Sequence, residues 1–160
     1  MSFNREQFQD LIERVLSDIS MFSPAAVNLL LGTSAQESGF GTYIRQIGGG
    51  PALGVFQMEP DTEFDIWDNY LKFRPYPKAK IFAATGVNGP DPESLESNLA
   101  YQIAMARVHY RRVPAALPEA EDVYAMALYW KAYYNTAKGK GTAEEFIHNY
   151  HRYVLAGGPS

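Results

Sequence analysis

One glutamate stands where an apolar stretch runs out: Glu37, in Ala35-Gln36-Glu37-Ser38-Gly39-Phe40. A loop with four glycines and a proline follows, then Gly54-Val55-Phe56-Gln57-Met58-Glu59-Pro60. An acid at the C-terminal end of a helix meets the negative end of the helix dipole. Apolar neighbours further disfavour its ionised form. Both effects raise its pKa, which suits a general acid that must hold a proton near neutral pH. The layout implies a cleft in which this acid faces a polar, backbone-lined groove. Position alone leaves a solvated helix-end glutamate as the alternative.

The elements that must position Glu37 are helical. Phe8, Leu11, Ile12, Val15, Leu16 and Ile19 recur at helical spacing and predict an amphipathic helix over about 4–19. Ser23-Pro24 is a start signal. The helix it opens, Pro24 to about Glu37, is apolar nearly all round and so should be central; Gly39 and Gly41 can end it. Residues 42–58 have no helical period and read as a loop or a small irregular hairpin. Pro60-Asp61-Thr62 opens a short helix. Residues 73–91, punctuated by Pro75, Pro77, Gly86, Gly89 and Pro90, are expected to be mostly irregular. Further helices are expected over about 92–112, 119–136 and 142–155. The last is announced by the capping-box pair Thr142 and Glu145, and the tail Gly157-Gly158-Pro159-Ser160 should be loose. The expectation is one mainly α domain over residues 1–160, with a small β-hairpin or loop insertion after the second helix.

Composition excludes several classes. A chain of 160 residues, 46% hydrophobic and 20% charged, can bury a substantial single core. With no cysteine there is neither a disulfide scaffold nor a thiolate metal site. No run approaches the roughly 18 apolar residues of a membrane span, so no stable membrane insertion is expected. The N-terminus lacks the layout of a signal peptide, which implies synthesis in a cytoplasm. A net charge of −4 argues against nucleic acid as a partner. His148 and His151 lie three apart, but nothing nearby completes a metal set with them or with His109, and no metal or cofactor is expected. Gly48-Gly49-Gly50 lacks the Lys-Ser/Thr of a phosphate loop. Arg111-Arg112 reads as a solvated helix end, with contact to a partner's carboxylates or to anionic lipid as the rival.

The ordered set Glu37-Ser38-x-Phe40, Gly54-x-Phe56-Gln57-x-x-Pro60 and Tyr133-Tyr134-Asn135 resembles the lytic transglycosylase and goose-type lysozyme group. Ser97-Asn98-Leu99-Ala100 fits the Asn-Leu-rich helix of that group, and the likeness spans roughly residues 25–136. The sequence departs from the family pattern at Phe56, where a Met is usual, and at Thr136-Ala137, where Ala-Gly is usual. The loop serine common in transglycosylases is also absent.

The resemblance implies a lysozyme-like domain that cuts the β-1,4 bond between N-acetylmuramic acid and N-acetylglucosamine in bacterial peptidoglycan. Glu37 would protonate the glycosidic oxygen, and Tyr134 would set its hydroxyl near Glu37 and steady it. Gln57 would line the sugar subsite through an amide that both donates and accepts, with Phe56 beside it. Ser38 would pack against the acid, or simply end the helix. Asn135 would be structural or sugar-facing, and for Tyr133 a core role competes with one at the sugar. A transglycosylase needs one acid, because the muramic hydroxyl itself attacks; a muramidase needs a second to position water. Glu59 is the candidate for that second acid, against the alternative that Glu59, Asp61 and Glu63 are acids favoured by a helix N-terminus. Size and the missing leader look like a phage endolysin: a monomer without cofactor, made in the host cytoplasm and acting on the wall in the periplasm. A non-catalytic wall-binding or virion protein and a chitinase-like enzyme are the alternatives.

Overall fold

The computed structural model describes residues 1–136 and 139–156; Ala137 and Lys138, and the tail 157–160 expected to be loose, lie outside the described residues. Among the described residues the chain is mainly helical: α1 (Arg5–Asp18), α2 (Pro24–Ser38), α3 (Pro60–Asn69), α4 (Pro75–Thr85), α5 (Pro92–Ser97), α6 (Leu99–Arg111), α7 (Val123–Trp130) and α8 (Ala143–Tyr150). A 3₁₀ turn, Leu71–Phe73, joins α3 to α4. π-helical turns follow α7 (Lys131–Asn135) and α8 (His151–Leu155).

The hydrophobic pattern explains why α2 is the axis. Ser23 Oγ accepts from the Ala26 N–H at 3.0 Å, capping the helix, and Pro24 occupies its first turn. Leu29 to Ala35 are buried without interruption, because α1, α6, α7 and α8 all pack against this helix. Gly32 permits the closest of these approaches. A Cβ there would lie 2.4 Å from the Phe146 ring and 2.9 Å from that of Tyr150, both on α8. The capping box of α8 forms in both directions: Glu145 N–H donates to Thr142 Oγ1 at 3.1 Å, and Thr142 N–H to Glu145 Oε1 at 2.9 Å.

Two expectations are corrected, and a third is narrowed to its loop alternative. Residues 75–85 are helical rather than irregular. Pro75 and Pro77 both fall in the first turn of α4, where backbone N–H groups have no intrahelical partner to lose, and Gly86 closes it at φ +78°. The long helix expected over 92–112 breaks at Asn98, which is extended (φ −108°, ψ 97°). Its side chain caps α6 by accepting from Tyr101 N–H at 3.1 Å and donates to the Thr85 carbonyl at 2.9 Å. The insertion at 42–58 contains no strand among the described residues, only isolated antiparallel bridges of Leu53 with Arg45 and Met58. Left-handed backbone at Gly48, Gly49, Gly54 and Gln57 keeps it from running as a ladder.

Polar anchors hold the walls of the site. Glu63, one of the acids read as favoured by a helix N-terminus, lies in the first turn of α3 and is fully buried. Its Oε2 accepts from Tyr101 Oη and, at 2.7 Å, from the Asp91 N–H; Trp67 Nε1 donates to the same tyrosine at 2.8 Å. This network ties α3 to α6 and to the start of α5, and so anchors the helix that Glu59 leads into. Under the C-terminal end of α2, the rings of Phe8, Phe40 and Tyr153 pack at centroid distances of 5.4 and 6.0 Å.

Candidate active site

Glu37 sits in the last turn of α2, the turn that ends at left-handed Gly39. Tyr43 Oη donates to its backbone carbonyl at 2.8 Å, and Trp130 Nε1 donates to its Oε2 at 2.9 Å. Burial pushes its carboxyl from the ordinary 4.5 to about 7, and the Trp130 bond, which favours the ionised form, offsets only part of that rise. A group poised this way holds a proton at neutral pH and can release it.

The carboxyl faces a cavity of about 370 Å³ that also receives Tyr43, Gln46, Gln57, Glu59, Tyr134 and Asn135. Four separate pieces of chain meet there: the end of α2, the 42–58 loop, the lead-in to α3, and the π turn after α7. A π turn adds one residue to the helical period and so rotates the side chains beyond it. It carries Tyr134 and Asn135 to the cavity wall and leaves Tyr133 outside. A groove of about 420 Å³ along α1 is larger, but of the motif residues it holds only Leu99, and its one carboxylate, Asp10, faces solvent.

Gln57 is reached through a strained turn. It adopts φ +48°, uncommon for a residue with a side chain, and its Nε2 donates to the Gly54 carbonyl at 2.9 Å. The amide oxygen remains to meet a ligand in the cavity. Gly54, at φ +80°, admits no Cβ: one would fall 2.0 Å from the Leu95 carbonyl oxygen. Gln102 secures the same turn from α6 by accepting from the Val55 N–H at 2.9 Å. Glu59 occupies the N-cap position of α3, yet its side chain makes no capping bond. Asn135 Oδ1 accepts from Lys131 Nζ at 2.6 Å, and the same ammonium also meets the Gly139 and Gly141 carbonyls.

The expected site residues therefore separate. Glu37, Gln57, Glu59, Tyr134 and Asn135 share the cavity. Ser38 does not reach it: fully buried, its Oγ donates to the Ser34 carbonyl at 3.1 Å and accepts from the Gly41 N–H at 2.9 Å. It is the helix terminator of the two readings offered for it. The Phe56 ring lies in the core, because the left-handed turn sends side chain 57 outward and 56 inward. Tyr133 packs edge-on against Tyr129, at 4.7 Å between centroids, away from the cavity wall. Tyr134 steadies something other than the acid. Its Oη donates to the Phe56 carbonyl at 2.6 Å, clasping the Gln57 turn to the end of α7.

Trp130 holds the acid in the position expected of Tyr134. Its signal is in the sequence: Trp130 and Tyr134 are one turn apart and share a face. Tyr43 carries no such signal, since a loop offers no period from which to read a side chain's direction. Behind the wall, burial and the Arg112 guanidinium lower the His109 imidazole to about 4. The neutral ring sits edge-on to Tyr134 at 5.0 Å. Among the described residues no group of three or more His, Asp or Glu side chains is placed to hold a metal ion. Compared with known proteins, the chain matches no family model, no curated protein and no solved structure.

Proposed function

We propose that the protein is a lysozyme-like glycosidase that cleaves the β-1,4 bond between N-acetylmuramic acid and N-acetylglucosamine in peptidoglycan, with Glu37 as general acid. The observation that carries this reading is a buried carboxyl with a pKa near 7, at the wall of a polar cavity that also holds Gln57, Glu59 and Asn135. Glu37 gives its proton to the glycosidic oxygen as the bond from that oxygen to the muramic C1 breaks, and positive charge develops on the sugar ring. The resulting carboxylate is stabilised by the Trp130 N–H and can then take a proton from the attacking hydroxyl. Gln57 and Asn135 present amides suited to the hydroxyl and N-acetyl groups of the sugars. Glu59, free of any capping duty, is the second carboxylate available to orient water.

The test is mass spectrometry of the muropeptides released from purified murein by the protein and by Glu37→Gln. The variant should fold and lose on the order of 10²–10⁴-fold in rate. Substantial activity in Glu37→Gln overturns the assignment of the acid, and absence of any release by the unaltered protein overturns the reading as a whole. Reducing muramic ends identify a muramidase, and 1,6-anhydro ends a transglycosylase.

A further inference from the structure

α4 is apolar on both faces, although only one of them is covered. Ile81 points into the core, while Tyr76, Ala79, Phe82 and Ala83 line the opposite side and are exposed. A solvated helix places polar residues there. Phe73, just before α4, extends the stripe, and Phe73 and Tyr76 are each 66% exposed and Phe82 50%. A neighbouring groove, lined by Phe64 (57% exposed) and Trp67, carries both signs of charge, Asp68 with Lys72 and Lys78. Three large exposed rings within ten residues are more than scattered apolar residues account for.

The charges around this face are as unusual as its rings. From Asn69 to Pro90 the sequence holds Lys72, Arg74, Lys78 and Lys80 and not one Asp or Glu, in a chain whose net charge is −4. The cations interleave with the rings: Lys72 Nζ lies 5.8 Å from the Phe73 centroid and Lys80 Nζ 5.1 Å from that of Tyr76. Asp68 on α3 approaches Lys72 only to 4.0 Å, both groups being solvent-exposed. A second copy of the chain is a poor occupant, since a twofold contact would set this positive run against itself. Rings flanked by long basic side chains match the acyl boundary and headgroup layer of a negatively charged bilayer. Apolar groups enter such a layer, and each Lys or Arg contributes attraction at its surface.

We propose that the outer face of α4, with Phe73, is a docking surface for an anionic lipid bilayer, on which the protein adsorbs without spanning. It stands apart from the cavity at Glu37 and does not depend on the glycosidase reading.

The full chain is floated with phosphatidylglycerol-containing vesicles and, in parallel, with pure phosphatidylcholine vesicles. Binding is expected to the anionic vesicles only and should weaken as salt is raised. Neutralising Lys72, Lys78 and Lys80 to Gln together should lower the partition coefficient on the order of 100-fold. The triple variant Phe73→Ser, Tyr76→Ser, Phe82→Ser should lose binding even at low salt. Both sets lie at the surface, so the circular dichroism spectrum and the melting temperature should be unchanged, and Glu37→Gln should bind vesicles like the unaltered protein. Failure to bind anionic vesicles overturns the proposal, as does binding that survives both triple variants. So does a concentration-dependent dimer abolished by the serine variant, or a preference for single-stranded DNA over vesicles.

Discussion

Trp130 Nε1 donates to Glu37 Oε2 at 2.9 Å, across 93 residues of sequence. The bond joins the last turn of α2 to the end of α7 and is opposed by the burial of the carboxyl it reaches. Burial favours the protonated acid, and the indole N–H favours the carboxylate. The balance leaves Glu37 near 7, lower than burial alone would set it.

Replacing Trp130 by Phe therefore moves the acid upward in pH. A hydrogen bond to a charged group contributes about 1.5–3 kcal/mol. Its loss should shift the alkaline limb of the activity profile up by on the order of one pH unit. A rate–pH profile of Trp130→Phe checks this. A lower rate with an unmoved limb would reduce Trp130 to a packing residue.

The same burial makes Glu37 costly to the fold. An unfolded chain ionises this carboxyl near 4.5 and the native state near 7, so between those values the native state holds a proton the unfolded state has lost. Stability then falls as pH rises through that window. Glu37→Gln, neutral throughout, should melt higher than the unaltered protein at pH 8, with a gain bounded at roughly 3 kcal/mol, and should show no gain at pH 4. Melting curves at the two pH values decide it.

Much of this is legible in the sequence, and the remainder is hidden for physical reasons. Ser23-Pro24 and the Thr142–Glu145 pair mark helix starts through local hydrogen bonds, so they read correctly without tertiary information. The apolar run before Glu37 places the acid at a buried helix end for the same reason. α4 escapes a reading by composition because prolines register as breakers, although in a first turn Pro75 and Pro77 break nothing. The resemblance puts Phe56 at the sugar and Tyr134 beside the acid because a motif match aligns residues along the chain, whereas a left-handed Gln57 and a π turn decide which way each side chain points.

Tyr134→Phe separates positioning from acid chemistry. The ring remains packed against Tyr110 and His109 while the bond to the Phe56 carbonyl is lost. About 1 kcal/mol of stability should go with it, and kcat should fall as the Gln57 turn loosens. The alkaline limb should stay where it is, because the hydroxyl bonds to Phe56 and not to Glu37.

Gly54→Ala should be far costlier than Gly48→Ala, although both glycines have left-handed φ (+80° and +93°). A Cβ at Gly48 meets nothing within 4 Å, so the change carries only the conformational penalty of about 1 kcal/mol. At Gly54 the same Cβ collides with the Leu95 carbonyl oxygen and with Gln102. The turn that presents Gln57 must then shift, lowering the melting temperature by several degrees more and raising KM. Equal effects of the two substitutions would mean the Gly54 turn is free to move.

Glu59 shares the cavity with Glu37 but caps no helix and is solvent-exposed. Glu59→Gln should accordingly leave stability within about 0.5 kcal/mol of the unaltered protein. Its effect on rate depends on what attacks the sugar. If the released ends are reducing, water is the nucleophile and must be oriented, and losing the carboxylate should cost on the order of 10²-fold or more. If they are 1,6-anhydro ends, the muramic hydroxyl attacks and the variant should work at close to the normal rate. Measuring end chemistry and rate on the same samples couples the two readouts. Reducing ends released at an undiminished rate by Glu59→Gln would remove Glu59 from the mechanism and leave Glu37 as the carboxylate of the cavity with a catalytic part.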